Sequence, residues 1–254
     1  MHRFFDRIMR RQMRGHFRAV RLLRPGLPAL PAGVPLVIVT NHPSWWDPAF
    51  CMVLSTTLFP GRESYAPIEA EALARYRFMR RLGVFPVRPG TRAGAVAFLR
   101  TGAHVLSDPR RILWVTAQGE FADARARPVR LKAGAAQLLA RTPGAVALPL
   151  ALEYPYWSEK KAEALAAFGD PIRVEGPAQA AAWQGALEAG LEAAMDALAR
   201  AAMARDAAPF DDLLRGDGGV GGTYGAWLRL KAALGGRTYE AEHAADRPDQ
   251  TEKT

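Results

Sequence analysis

The sequence predicts an α/β protein: a single, largely parallel central sheet covered by helices, with a basic amphipathic helix at its N-terminus. Three observations predict it. Short apolar runs alternate with helix-length segments from Leu36 to Leu152, the pattern of strand-helix-strand units. The Ala-rich stretch from Pro177 to Arg205 carries Trp183, Leu187, Leu191, Met195 and Leu198 at helical spacing, as one long helix packed on a core would. Residues 1 to 24 repeat arginine every three or four positions.

Taken in order, the first element contains Arg3, Arg7, Arg10, Arg11, Arg14, Arg18, Arg21 and Arg24, interleaved with Phe4, Phe5, Ile8, Met9, Met13, Phe17, Val20 and Leu22. That period lines arginines along one helical face and apolar side chains along another, until Pro25 and Gly26 end the segment. Such a helix either lies in the headgroup layer of an anionic membrane, each basic group contributing roughly 1 kcal/mol before salt screens it, or packs on the body with its arginines solvated.

The first strand expected is Leu36 to Thr40, followed by strands at Ser64 to Ile68, Val84 to Val87, Ile112 to Thr116 and Val146 to Leu152. Helices are expected at Pro48 to Leu58, Glu69 to Leu82, Arg92 to Leu106 and Lys132 to Arg141. In sheets of this kind ligands bind on the loops that leave the carboxyl ends of the strands. Beyond the long helix, Gly216 to Gly222 breaks the chain, and Tyr224, Trp227, Leu228, Leu230 and Leu234 suggest a short amphipathic element. From Arg237 the sequence reads as a disordered polar tail. The organisation expected is therefore 1–26 for the basic helix, 27–215 for the body, 216–236 for the linker and short element, and 237–254 for the tail.

Composition narrows the function classes. A chain of 254 residues, 49% hydrophobic and 23% charged, buries one substantial core. A net charge of +9 points to an anionic partner, a membrane face or a nucleic acid, unless it reflects a general bias toward arginine. Cys51 stands alone, so an internal disulfide is excluded, and no Cys/His spacing suits a structural metal. No run reaches the roughly 20 apolar residues of a spanning helix, and the arginine-rich start does not suit a signal peptide. The location expected is the cytoplasmic side of the cell membrane, peripherally bound.

Immediately after the first strand comes Asn41-His42-Pro43-Ser44-Trp45-Trp46-Asp47-Pro48. Positions five apart are not neighbours on a helix, but a tight loop can bring His42 and Asp47 together. A free imidazole, with a pKa of about 6.5, accepts a hydroxyl proton at neutral pH, and a carboxylate on its other nitrogen fixes the tautomer and stabilises the imidazolium. The alternative is a loop histidine that hydrogen-bonds locally. Trp45 and Trp46 either guard a channel or pack beneath the loop.

Asn41, His42 and Asp47 resemble the Asn-His-x4-Asp motif of the glycerolipid acyltransferases, a family that includes bacterial lysophosphatidate acyltransferases. Gly83-Val84-Phe85-Pro86-Val87-Arg88 is similar to that family's second block, which places Arg88 where an arginine is associated with the acceptor's phosphate. Ile112 to Gly119 resembles the strand entering the third block, usually Pro-Glu-Gly-Thr-Arg; here Gln118, Glu120 and Phe121 replace Glu, Thr and Arg around Gly119. Lys132-Ala133-Gly134 and Val146 to Leu150 are similar to the segments that follow. The resemblance implies transfer of a fatty acyl group from acyl-CoA or acyl-carrier protein to the hydroxyl of a lysolipid acceptor, foremost lysophosphatidate.

It further implies His42 as general base and Asp47 as its orienting carboxylate, with Asn41, Ser44, Arg88, Gln118, Gly119 and Glu120 around the substrates. No metal or redox cofactor is expected, and no nucleic acid. Backbone N–H groups around Gly119 are a candidate oxyanion site, against an ordinary tight turn. The loss of a cation at Phe121 opens a second acceptor class, a lyso-ornithine lipid, glycolipid or hydroxylated isoprenoid, with Arg92, Arg125, Arg127, Arg130 and Lys132 as compensating cations if the acceptor is a phosphate. A reading of another class is a non-catalytic membrane-binding protein that uses the arginine-rich helix.

Overall fold

Strands buried on both faces read as continuous apolar runs, and the five expected runs all form strands. The computed structural model describes residues 2–173 and 179–216. Its helices are α1 (His2–His16), α2 (Asp47–Leu58), α3 (Ala70–Arg75), α4 (Arg92–Leu106), α5 (Gly134–Leu139) and α6 (Ala180–Ala204). Its strands are β1 (Phe17–Leu23), β2 (Leu36–Thr40), β3 (Glu63–Glu69), β4 (Val84–Val87), β5 (Arg111–Thr116), β6 (Val146–Glu153), β7 (Ala162–Phe168) and β8 (Phe210–Arg215). The linker beyond Gly216, the element around Trp227 and the tail lie outside the described residues. Among the described residues no helix is long and apolar enough to cross a membrane.

The strands form one sheet in the order β4-β3-β5-β2-β6-β7-β1-β8. β4, β3, β5, β2 and β6 are mutually parallel. β7 reverses against β6, β1 runs parallel to β7, and β8 pairs antiparallel with β1. Along β2, Leu36 and Ile38 join one core with Phe50, Val53 and Leu54 of α2, while Val37 and Val39 join the other with α5 and α6. The 3.6-residue and two-residue periods thus agree on a three-layer arrangement.

The N-terminal segment departs from expectation. Its helix stops at His16, and Phe17–Leu23 is a strand although the arginine spacing continues through Arg24. Tertiary partners override the helical period. Arg21 is buried between β7 and β8, where its Nε donates to Glu163 at 2.9 Å and its guanidinium also pairs with Asp212. The helix itself packs on α2 through buried Met13 and through Arg10, which donates to Thr56 and Thr57, while Phe4, Arg7, Arg11 and Arg14 form an exposed stripe.

Two further strands went unanticipated: β7 is rich in alanine, a helix former, and β8 begins Phe-Asp-Asp, a poor strand signal. The helix expected from Glu69 to Leu82 breaks at Tyr76 into α3 and a 3-10 segment, Arg77–Leu82. On one continuous helix Leu73 and Leu82, nine residues apart, would face about 180° apart. The break lets both be buried. Gly83 closes this segment at φ 85°, where an added Cβ would lie 2.2 Å from the Ser64 carbonyl oxygen, a position open to glycine alone.

Candidate active site

The connection after β2 leads to α2 on one face of the sheet, and the connection after β5 leads to α5 on the other. Adjacent strands whose connections diverge leave a crevice at their carboxyl ends. His42 stands at the mouth of that crevice. Its backbone is latched to the opposite loop from both sides, its N–H donating to Gln118 Oε1 at 2.8 Å and its carbonyl accepting from Ala122 N–H at 3.0 Å.

His42 Nδ1 lies 2.6 Å from Asp47 Oδ2. A carboxylate only accepts, so Nδ1 carries the proton and Nε2 presents a lone pair. Asp47 is 1% exposed and opens the first turn of α2, where the helix dipole favours negative charge. Its Oδ2 also accepts the Ser44 N–H at 3.2 Å, and its Oδ1 accepts the Tyr154 hydroxyl at 2.7 Å. Burial first, and then the Asp47 charge, hold the Tyr154 phenol well above its ordinary range, so it stays a donor. Tyr154 follows β6 and carries no motif of its own, which hid it from sequence reading. The Cys51 thiol, pushed up by burial and then by Asp47, is kept protonated.

Several residues expected around the substrates hold the frame of the site. Asn41 is fully buried, and its side chain exchanges two hydrogen bonds with Leu152 backbone, Nδ2 to O at 2.9 Å and N–H to Oδ1 at 2.8 Å. It pins the β2 end to β6. Gln118 is 8% exposed and holds the His42 backbone, a task that needs an acceptor but no charge. The Gly119 N–H donates to Thr116 O at 3.0 Å, at φ 72°, so it closes a tight turn and is not free for an oxyanion.

Ser44 Oγ accepts from Trp46 N–H at 3.2 Å, shaping the loop, and Ser44 also lines an open pocket of about 360 Å³ with Asp123, Arg125, Glu153 and Tyr154. Glu120 is exposed beside the crevice. Arg88 is exposed at the end of β4, the edge strand, three strand spacings or about 14 Å from β2. The two tryptophans divide the alternatives between them: Trp46 packs on Phe17 at 5.2 Å between ring centroids, and Trp45 is 75% exposed.

Phe121, singled out only as a lost cation, proves to be the side chain nearest the imidazole in ring contact. Its ring centroid lies 4.3 Å from that of His42, tilted 33°. The arrangement can take a proton from a hydroxyl at Nε2 and stabilise the resulting imidazolium through Asp47. Compared with known sequence families, residues 23–153 match the model described as Acyltransferase, a span that holds β2 to β6 with His42, Asp47 and Phe121 and stops one residue before Tyr154. No curated protein matches the chain.

Proposed function

The chain belongs to the acyltransferase family, and from that premise we propose that it moves a fatty acyl group from a thioester, acyl-CoA or acyl-carrier protein, to the hydroxyl of a lipid acceptor at a membrane surface. The observation that carries this reading is the 2.6 Å contact between His42 and Asp47, at the carboxyl ends of the strands, with Nε2 unencumbered by it.

In the reaction the acceptor oxygen attacks the thioester carbon while His42 Nε2 takes its proton. The new C–O bond forms, the C–S bond breaks, and the thiolate leaves with the proton returned from the imidazolium. Asp47 holds the ring and offsets its transient charge; Tyr154 and the Ser44 N–H hold Asp47. A thioester is already reactive, so alignment and proton removal carry most of the task, and the chemistry calls for no redox or metal cofactor.

Peripheral attachment to the cytoplasmic face of an anionic membrane is supported by one continuous surface. Phe5 of α1 stacks on Phe78 with centroids 5.1 Å apart, and Phe4, Arg7, Tyr76, Arg77, Phe78, Arg80 and Arg81 are exposed around them. Aromatic rings among arginines suit the headgroup layer. Salt-titrated binding to anionic liposomes and to DNA tests this, with liposome binding expected to dominate.

The catalytic reading is tested by incubating a labelled acyl donor with a panel of lipid acceptors, comparing wild type with His42→Ala. The variant is expected to lose at least about 10²-fold in turnover. A folded His42→Ala protein that keeps wild-type turnover would refute it, as a non-catalytic membrane-binding protein would show no transfer in either form.

A further inference from the structure

We infer that the acceptor carries no phosphate or other anion next to its reacting hydroxyl, and that Phe121 selects for this. The inference rests on His42 being the general base, as proposed above.

An acceptor hydroxyl that hydrogen-bonds to His42 Nε2 has its oxygen about 3 Å from that nitrogen. With the Phe121 ring centroid 4.3 Å from the imidazole centroid, the carbons beside that hydroxyl meet the phenylalanine ring. Aromatic faces carry negative quadrupole density, which repels an anion and favours apolar or cationic neighbours. The ring is 61% exposed, so an apolar ligand laid over it removes apolar surface from water. Glu120, exposed one residue earlier, adds a negative charge to the same rim.

Three of the five cations that could restore phosphate binding, Arg125, Arg127 and Arg130, already face carboxylates. Arg125 gives both Nε and Nη2 to Glu153 Oε1, at 3.2 and 2.7 Å. Arg127 gives Nε and Nη2 to Asp196, at 2.9 and 2.6 Å, and Arg130 lies 3.9 Å from Glu188. A phosphate at His42 would have to compete with these carboxylates to recruit the three arginines. Arg88 sits on the edge strand, about 14 Å away in strand spacings. The acceptor class that fits is a neutral lipid alcohol.

The test uses two acceptors with the same acyl chain that differ by one phosphate, a monoacylglycerol and a lysophosphatidate, with acyl-CoA as donor and thiol release as readout. Wild type is expected to favour the monoacylglycerol in kcat/KM by at least about tenfold, and Phe121→Arg to shift that ratio toward lysophosphatidate by about the same factor, the scale of one charge-assisted hydrogen bond. Phe121→Leu, which keeps an apolar side chain, is expected to retain the wild-type preference. Preference of wild type for lysophosphatidate, silence toward both acceptors, or a ratio that Phe121→Arg leaves unchanged overturns the inference. The acceptor-panel comparison of wild type with His42→Ala reports separately on the reading beneath it.

Discussion

Replacing Asp47 by asparagine separates the two services a carboxylate gives an imidazole, charge and orientation. Three donors converge on Asp47: the Ser44 N–H and the His42 Nδ1–H on Oδ2, and the Tyr154 hydroxyl on Oδ1. An amide placed there has one oxygen and one NH₂. The Ser44 N–H is fixed in the backbone and demands an acceptor, so the amide oxygen takes the Oδ2 position and the NH₂ turns to Tyr154, whose hydroxyl can rotate to accept. His42 then keeps its proton on Nδ1 and its lone pair on Nε2. What is lost is the charge of one hydrogen bond, about 1.5–3 kcal/mol, or roughly 10- to 150-fold in kcat/KM. The motif by itself suggests a harsher outcome, a misoriented ring, and imposing the wrong tautomer in hydrolytic triads costs about 10⁴-fold. Steady-state thiol release from an acyl thioester, with acceptor present, distinguishes the two. A loss near 10⁴-fold in a folded Asp47→Asn protein would show that the surrounding donors do not orient the amide, and a loss below about threefold would remove Asp47 from the reaction.

Tyr154→Phe deletes a donor to the Asp47 carboxylate and should lower kcat by roughly 10-fold with little change in KM, since a hydrogen bond to a charged group contributes about 1.5 kcal/mol or more; a change confined to KM would place Tyr154 in substrate binding instead. The same phenol sets a pH dependence of stability. Its folded-state pKa is raised, so the folded chain holds the proton to higher pH than the unfolded chain, stability is full below about pH 10 and falls as the pH rises further. Alkaline unfolding of Tyr154→Phe should therefore show a shallower decline, and an unchanged profile would refute the assignment. Arg21→Ala removes the buried guanidinium that pairs with Glu163 and Asp212, and should cost about 3–5 kcal/mol by urea denaturation. A cost under about 1 kcal/mol would mean that β1 does not depend on that pair for its place in the sheet.

The sheet, its parallel centre and the His42–Asp47 pair were legible in the chain because each depends on local pattern. An apolar run such as Leu36 to Thr40 signals a strand buried on both faces whatever lies beside it, and five residues between histidine and aspartate suffice for a loop to join them. Legibility failed where the deciding partner is distant in sequence. The arginine period runs from Arg3 to Arg24, and its second half becomes a strand through the backbone ladders to β7 and β8 and the carboxylates of Glu163 and Asp212, some 140 and 190 positions on.

The same division runs through the site. Residue type and spacing singled out His42 and Asp47 as a pair, and the structure places them 2.6 Å apart. Where Asn41, Gln118 and Gly119 place their hydrogen bonds, on Leu152, His42 and Thr116, depends on partners that come together only when the strands are side by side. Tyr154 on Asp47 and Phe121 over His42 were settled in the same way. Residue identity determines what a group can donate, accept or repel; the tertiary structure determines which of those capacities are already satisfied and which face the crevice.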